Sequence, residues 1–295
     1  MDRPPICDYE NSDYQQVFWD TGEREYEDRA EAVALKRLLD DSGKLLLEVG
    51  AGAGRNSPRY QGYEQVVLLD YSLTQLQQAR QRLGGNGRYH YVAANAYRLP
   101  FVTGLFDAAT MIRTLHHMAQ PRSVLQEVRR VLEPRGIFIL EYANKQNLKA
   151  IARYALRRQS WSPFTLEPVE FVRLNFDFHP RAVRNWLQES GFRVERQLTV
   201  SHFRMGWLKR LAPVSLLVAL DALAQQTGDW WQLSPSVFAR ARATGDTPIA
   251  GKNAFFRCPE CGAIDLDEGE NALICRSCGR RYPIQEGIYD FREPE

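Results

Sequence analysis

The apolar residues of this chain come in short unbroken runs rather than in strict alternation, the pattern of strands covered on both faces. Five such runs occupy 44–49, 65–69, 89–93, 106–112 and 136–141. Between them, apolar positions recur at helical spacing: Ala30, Val33, Ala34 and Leu38 predict a helix over 27–39, and 73–83 and 121–132 predict two more. A short helix is expected just after Pro58. Farther on the pattern gives a helix over 181–190, stopped by Gly191, and a strand over 192–200. One or two helices with an apolar face fill 205–226, and a strand at 236–243 forms a hairpin with the one at 192–200. Alternating strands and helices make an α/β fold with a doubly wound, mostly parallel sheet of seven strands.

One strand ends differently from the others. Leu47-Glu48-Val49-Gly50-Ala51-Gly52-Ala53-Gly54 turns an apolar run into three alternating glycines, a turn in which backbone approaches a ligand with no Cβ in the way. The next strand ends at Asp70, twenty residues after Gly50, where a carboxylate can accept both ribose hydroxyls of a nucleoside. Arg55 stands where a dinucleotide fingerprint needs glycine or alanine, and no Gly-Lys-Ser/Thr follows, which excludes a P-loop. With Glu48 just before the first glycine there is no phosphate to neutralise, and the turn suits the amino group of an amino-acid-like ligand.

Three further motifs follow in order: Asn95-Ala96 with Leu99-Pro100-Phe101, then Phe106-Asp107 with Leu115-His116-His117, then Leu132, Pro134 and Gly136. Together with the glycine turn and Asp70 they make residues 44–142 resemble the core of a class I S-adenosylmethionine-dependent methyltransferase. The resemblance is nearest to the type 11 branch that includes quinone-biosynthesis enzymes. It implies that Gly50, Ala51, Gly52 and Gly54 pass under the methionine part of S-adenosylmethionine and that Glu48 orients the loop or the amino group. It further implies that Asp70 holds the ribose, Tyr71 flanks the adenine, Asn95 and Ala96 meet the adenine edge, and Arg113 faces donor and acceptor. Asn95 departs from the family's usual aspartate, leaving a carbonyl oxygen as the acceptor there.

The composition is that of an ordinary globular protein, 44% hydrophobic and 25% charged over 295 residues with a net charge of +2, which excludes a disordered chain. The charges are segregated: ten acids against three arginines in 1–31, and thirteen bases against five acids in 145–210. The first stretch reads as an irregular arm, 1–28, whose aromatics Tyr9, Tyr14, Phe18, Trp19 and Tyr26 can cover a pocket. The catalytic domain is read as 29–243, with an aromatic and basic insertion at 144–180 that suits acceptor recognition. Residues 211–223 are apolar but too short to cross a bilayer, so no transmembrane segment is expected and peripheral membrane contact remains open. No basic, apolar leader opens the sequence, and a cytoplasmic location is expected.

Residues 244–253 are a linker by composition, and 254–295 form a separate module. Cys258-Pro-Glu-Cys261 and Cys275-Arg-Ser-Cys278 stand thirteen residues apart, a spacing that builds a closed tetrahedral thiolate site for structural Zn2+. Cys7 lies far outside that pattern. The tail resembles the small zinc-ribbon protein that activates several tRNA, rRNA and release-factor methyltransferases. That resemblance implies a ribbon that donates a strand to the catalytic domain and buries an apolar patch of it, docked in cis through Ile284, Ile288, Tyr289 and Phe291.

Methyl transfer from a sulfonium needs positioning more than a dedicated nucleophile. Any base would come from His116 or His117 or from Tyr142, with Asn144 and Lys145 also near the expected acceptor. Trp207, Trp230 and Trp231 suit a lid or, more simply, buried packing. The acceptor reads as a lipid- or quinone-like small molecule; RNA is the rival, suggested by the ribbon and the basic segment. A non-catalytic protein that binds S-adenosylmethionine is the third reading. The Asn-Pro-Pro-Tyr signature of adenine or glutamine amide acceptors is absent, Arg113-Thr114-Leu115-His116 standing in its place.

Overall fold

Leu46 and Leu47 are neighbours in one strand and both are fully buried, yet they belong to two different apolar layers. Successive side chains of a strand point to opposite faces, so a strand that buries both must lie between two layers of helix. A computed structural model gives the coordinates and describes residues 4–7, 10, 24–85, 87–251 and 254–292. Tyr9, Tyr14, Phe18 and Trp19 of the arm lie outside the described residues.

Helix α1 (Glu25–Leu38) precedes β1 (Gly43–Val49) and β2 (Tyr63–Asp70), and α2 (Leu73–Leu83) leads to β3 (Tyr89–Ala93). Then come β4 (Phe106–Met111), α3 (Pro121–Val131) and β5 (Leu132–Ala143). The insertion forms α4 (Leu148–Ala155) and a separate two-stranded ribbon of β6 (Val169–Val172) and β7 (Asn175–Asp177). The domain closes with α5 (Pro180–Glu189), β8 (Phe192–Val200), α6 (Gly206–Leu211), α7 (Val214–Ala224) and β9 (Ser236–Ala243). Seven strands run in the order β3-β2-β1-β4-β5-β9-β8, parallel except for β9, which is antiparallel to β5 and to β8. Helices α1, α2 and α7 cover one face through residues such as Ala34, Leu76 and Leu217; α3 and α5 cover the other through Leu125, Val128 and Leu187.

Several boundaries move for physical reasons. The first helix begins at Glu25, inside the stretch assigned to the arm, because Tyr26 is buried and its hydroxyl donates to Asp221 Oδ1 at 2.9 Å while accepting from Phe203 N. The fifth strand begins at Leu132 rather than Gly136, since Leu132 already pairs with Phe106 before the chain bulges and resumes at Ile137. Helix 205–226 is two helices, broken at Ala212-Pro213.

The C-terminal module joins the sheet of the larger domain. Strands β10 (Leu266–Glu268), β11 (Ala272–Cys275), β12 (Arg281–Gln285) and β13 (Ile288–Asp290) do not form a sheet of their own. β13 lies parallel beside β3, with Ile288 opposite Tyr91, Tyr289 opposite Val92 and Asp290 opposite Ala93, so the seven strands are part of an eleven-stranded sheet. Tyr282 and Phe291 are buried in the same layer as α3. The linker is also packed down: Ala250 N donates to Gly104 O at 2.8 Å, and a Cβ on Gly104 would sit 1.9 Å from Pro248 O. Across the module's other end, Phe256 bridges to Phe101 and Val102 N donates to Phe255 O. Of the four expected docking residues, Ile288 and Phe291 are buried, and Ile284 and Tyr289 are partly buried against the same core.

Candidate functional site

The carboxyl ends of β1 to β4 open on a cleft of about 1030 Å³, the position where open α/β sheets bind ligands. Its floor is the glycine turn. Gly50 adopts φ +73°, and a Cβ there would lie 2.1 Å from Thr114 Oγ1, so neither the conformation nor the space admits another residue. The amides of Gly50 and Ala51 both donate to Leu69 O, at 2.8 and 3.0 Å, tying the turn to the end of β2. Asp70 completes the joint: Oδ2 accepts from Gly52 N at 2.8 Å and Oδ1 from Ser72 N at 2.9 Å. A carboxylate fixed by two backbone donors is already oriented for further acceptance at the cleft wall.

Of the ten residues expected around a donor molecule, Gly50, Ala51, Gly52, Asp70, Tyr71, Asn95, Ala96 and Arg113 line this cleft. Gly54 does not. Its Cβ direction points at Leu83 Cδ1, 2.8 Å away, and at Ala79, so it admits α2 to close packing on the sheet. Glu48 is also absent from the wall. It is buried, with Oε2 accepting from Ser57 Oγ at 2.6 Å and Oε1 from the Tyr60 hydroxyl at 2.9 Å, and burial pushes its carboxyl up to about 7. It pins the turn at Ser57–Arg59 that follows the glycine loop. Asn95 turns its side chain back, Oδ1 accepting from Tyr97 N at 2.9 Å, which fixes the rim where an adenine edge would lie.

Arg113 has φ +56°, a costly conformation for a side chain of this size and one stored at functional sites. Its amide donates to Glu141 Oε2 at 2.8 Å and its Nε to Glu31 Oε1 at 2.7 Å. Glu31 Oε2 takes Arg55 Nη2 at 2.8 Å, so one buried carboxylate clamps two arginines, whose charges hold it down to about 2. Burial resists that ionisation and the two cations overcome it. The sequence offered Arg55 only as evidence against a dinucleotide; Glu31 was missed. The signal was present, because Glu27 and Glu31 lie on the stripe shared by Ala30, Ala34 and Leu38, where acids without partners would not be buried.

Ile6 and Cys7 of the arm reach the cleft, which fits an arm that covers a pocket. Glu10 caps α2, accepting from Leu73 N at 2.9 Å, and pairs with Arg292 at 3.2 Å. Arg292, just after β13, also lies 5.9 Å from the Tyr71 ring and donates to Tyr71 O, so the C-terminal module touches the cleft wall.

The candidate bases separate. His117 lines the cleft, with Nδ1 at 2.9 Å from Leu174 O; the carbonyl can only accept, so Nδ1 carries the proton. Burial lowers the pKa of both histidines, that of His116 far more, helped by the charges of His117, Arg113 and Arg204. Tyr142 is removed from the candidates: it is a core residue under β9, its hydroxyl paired with Gln197 Nε2 at 3.3 Å, and burial raises its pKa further. Lys145 is buried and donates to Thr165 Oγ1 and Glu167 O; Asn144 donates to Gln232 O and Ser234 O. Both hold the insertion and the approach to β9. Trp207, Trp230 and Trp231, read as packing or lid, are exposed by 58%, 77% and 57%.

In the module, the sulfurs of Cys258, Cys261, Cys275 and Cys278 all lie within 4.8 Å of one another, with Cys258 to Cys278 at 3.7 Å and Cys261 to Cys275 at 3.5 Å. Sulfurs at the corners of a tetrahedron about 2.3 Å from zinc are about 3.8 Å apart, so the set fits Zn2+. The Tyr282 hydroxyl, 3.0 Å from Cys258 Sγ, is placed to stabilise a thiolate.

Residues 47–140 match the family described as a methyltransferase domain, and 254–287 the family described as a Trm112p-like protein. The chain thus carries both units. It is 31% identical over 143 residues to the demethylmenaquinone methyltransferase of Clavibacter sepedonicus, covering 48% of this chain and 50% of the relative. It is 34% identical over 103 residues to the O-methyltransferase resE of Aspergillus sclerotiorum, covering 33% and 39%. The chain therefore spans half or less of the length of these curated relatives. In structure it is similar to a chain from a complex that contains the Haloferax volcanii Trm112 methyltransferase activator, with a TM-score of 0.56 at 15% identity over 79% of this chain and 96% of the other. A Mesorhizobium loti S-adenosylmethionine-dependent methyltransferase gives 0.50 at 19% identity over 72% and 97%. At such identities the likeness is one of fold.

Proposed function

We propose that this protein transfers a methyl group from S-adenosylmethionine to a lipid- or quinone-like small molecule, with the Trm112p-like module acting in cis as a structural zinc ribbon. The observation that carries this reading is the joint at the carboxyl end of β2. Asp70 is held by Gly52 N and Ser72 N between a glycine floor and the Tyr71 and Asn95 walls of the cleft. The donor supplies an already activated methyl; the chain orients it and keeps water out. Gly50 and Gly52 give the methionine arm its close approach, Asp70 accepts from the ribose, and Asn95 and Ala96 border the adenine. Arg113 and His117 stand at the end of the cleft toward the insertion, where an acceptor must approach.

Of the thirteen bases in 145–210, Lys145 is buried, Arg184 bonds Gln197 and Gln232 and Lys209 pairs with Glu27, while Lys149, Arg157, Arg158, Arg173, Arg181, Arg193 and Arg210 are exposed. The basic segment therefore does not decide against RNA, and the apolar surface beside it is what favours a greasy acceptor. The surface around the insertion and α7 exposes Leu148, Leu156, Phe171, Leu211, Leu223 and Trp230, a surface suited to collecting a greasy molecule or resting on a lipid surface. No helix among the described residues is long and apolar enough to cross a membrane.

The test has two arms. Calorimetric titration of the zinc-loaded protein with S-adenosylmethionine should give one site that Asp70→Ala weakens; no binding, or binding indifferent to that change, overturns the enzyme reading and leaves no donor site. Radiolabelled methyl incubated with cell extract should then appear in the organic-soluble pool. Label confined to RNA or to protein overturns the small-molecule acceptor.

A further inference from the structure

Arg204, half-buried in the loop that follows β8, is the arginine with two unsatisfied buried donors among the described residues. Its Nε and Nη2 are shielded from solvent and have no hydrogen-bond partner there, and neither has His116 Nδ1. A guanidinium is charged at every physiological pH and cannot escape by losing its proton, so leaving two of its donors empty in a shielded site is expensive. Burial drags its pKa down, and the charges it senses are those of Arg113, Glu31, Glu141 and Glu27.

Those three acids are already committed. Glu31 gives Oε1 to Arg113 and Oε2 to Arg55. Glu141 gives Oε1 to Ser236 Oγ and Oε2 to Arg113 N. Glu27 gives both oxygens to Lys209 Nζ, at 3.1 and 3.2 Å. A fourth acid, Asp177 at the end of β7, feels Arg204 more than any other charge, yet it bonds neither Nε nor Nη2, and burial pushes it up to about 6. Acids thus surround Arg204, but among the described residues none of them bonds its Nε or Nη2.

The location is specific. Arg204 acts electrostatically on His116 and Arg113, so it sits behind the end of the cleft, past the glycine turn and toward β7. Ser201, in the same loop, has φ +65° and a buried hydroxyl with no partner; Arg113, at the end of β4, is likewise left-handed. Strained residues and unsatisfied donors gathered beyond the carboxyl ends of β4 and β8, two parallel-running strands of one sheet, mark a site kept ready for something else.

We propose that Arg204 and His116 form the acceptor subsite and receive an anionic oxygen of the methyl acceptor, of the phenolate, enolate or carboxylate class. This rests on the proposed methyltransferase reading and narrows its substrate. An acceptor bound as an anion needs no proton removed at the moment of transfer, and Arg204 favours that ionised form by charge-assisted hydrogen bonds.

The experiment uses the full zinc-loaded chain saturated with S-adenosylhomocysteine and 4-nitrophenol as the probe, whose yellow phenolate reports its own ionisation. Phenolate should be preferred over phenol about tenfold, seen as an apparent pKa of the bound probe lowered by about one. Nitrobenzene, which has no ionisable oxygen, should compete poorly. Arg204→Gln should abolish the preference with S-adenosylhomocysteine affinity retained, and Arg204→Lys should restore part of it. Nitrobenzene competing as well as the phenolate, or an unchanged preference in Arg204→Gln, overturns the proposal. So does a tenfold loss of S-adenosylhomocysteine affinity in Arg204→Gln, which would assign the anion to the donor's own carboxylate. Should Arg204→Gln fail to fold, the wild-type contrast between the two probes and the Arg204→Lys variant decide alone. Failure of S-adenosylhomocysteine to bind the wild-type protein would instead refute the underlying methyltransferase reading.

Discussion

The two ends of the sheet are built on opposite principles. On the β3 side the sheet edge is covered: the ribbon supplies a strand to it, Phe255 and Phe256 pack on Phe101, and Arg292 reaches Tyr71 and Glu10 at the cleft wall, with only scattered apolar residues such as Ile249, Ile264 and Ile274 left exposed. On the β8 side the insertion and α7 leave Leu156, Leu211, Leu223 and Trp230 in solvent and Arg204 unsatisfied beneath them. An open sheet edge is a liability that must be blocked, and the ribbon blocks it beside the donor cleft. On the proposed reading the difference teaches a division of labour, with rigidity spent where a donor would be held and adaptable, incompletely satisfied surface kept where an acceptor would enter.

The strongest way to break that contrast is to dissolve the covered end. Cys275→Ser removes a buried ligand from the four-sulfur set. Metal binding in such modules is worth about 10 kcal/mol or more, so the ribbon should unfold, bare Phe101 and the β3 edge, and drive aggregation. Zinc analysis should fall from one ion per chain to none; a soluble, zinc-loaded variant would sink the four-thiolate site. A step smaller, Asp70→Ala should weaken S-adenosylhomocysteine about tenfold to hundredfold by calorimetry without loss of folding, because it removes a prepositioned charged acceptor.

The covered end should also show in its pH dependence. Glu48 has its carboxyl raised from 4.5 to about 7, so the folded state holds a proton that the unfolded chain releases. Its contribution to stability is therefore fully present below about 4.5 and fades as pH rises to about 7. Denaturant unfolding across that window should show a downward slope in the wild type that flattens in Glu48→Gln; parallel slopes would show that Glu48 is ionised in the fold. The smallest effect belongs to the open end. Replacing Leu223 and Trp230 by glutamine should change stability by no more than about 0.5 kcal/mol each, since both are largely exposed. A loss well beyond that would mean this face is packed in solution and the contrast with the ribbon end is false.

The cleft lining was nearly all legible. It is built by backbone and by residues at fixed offsets along the chain, so that Gly50, Gly52, Asp70, Tyr71 and Asn95 would share one cleft wall could be read from local spacing, and the cysteine cluster likewise. Gly54 and Glu48 stand in the same motif, but a linear pattern does not say which side of a turn a residue faces. The acceptor end was scarcely legible, because Arg204, His116, Asp177, Glu141 and Glu31 come from five separate segments and share no spacing. The sequence by itself determined the strands, the doubly wound order, the donor turn and the thiolate set, all of which rest on short-range periodicity and offset. Only the tertiary structure decided which edge the ribbon's strand joins, β13 beside β3, and that two donors of Arg204 lack an acceptor among the described residues. Strand pairing between distant segments and the accounting of buried hydrogen bonds are properties of the packed chain and of no stretch within it.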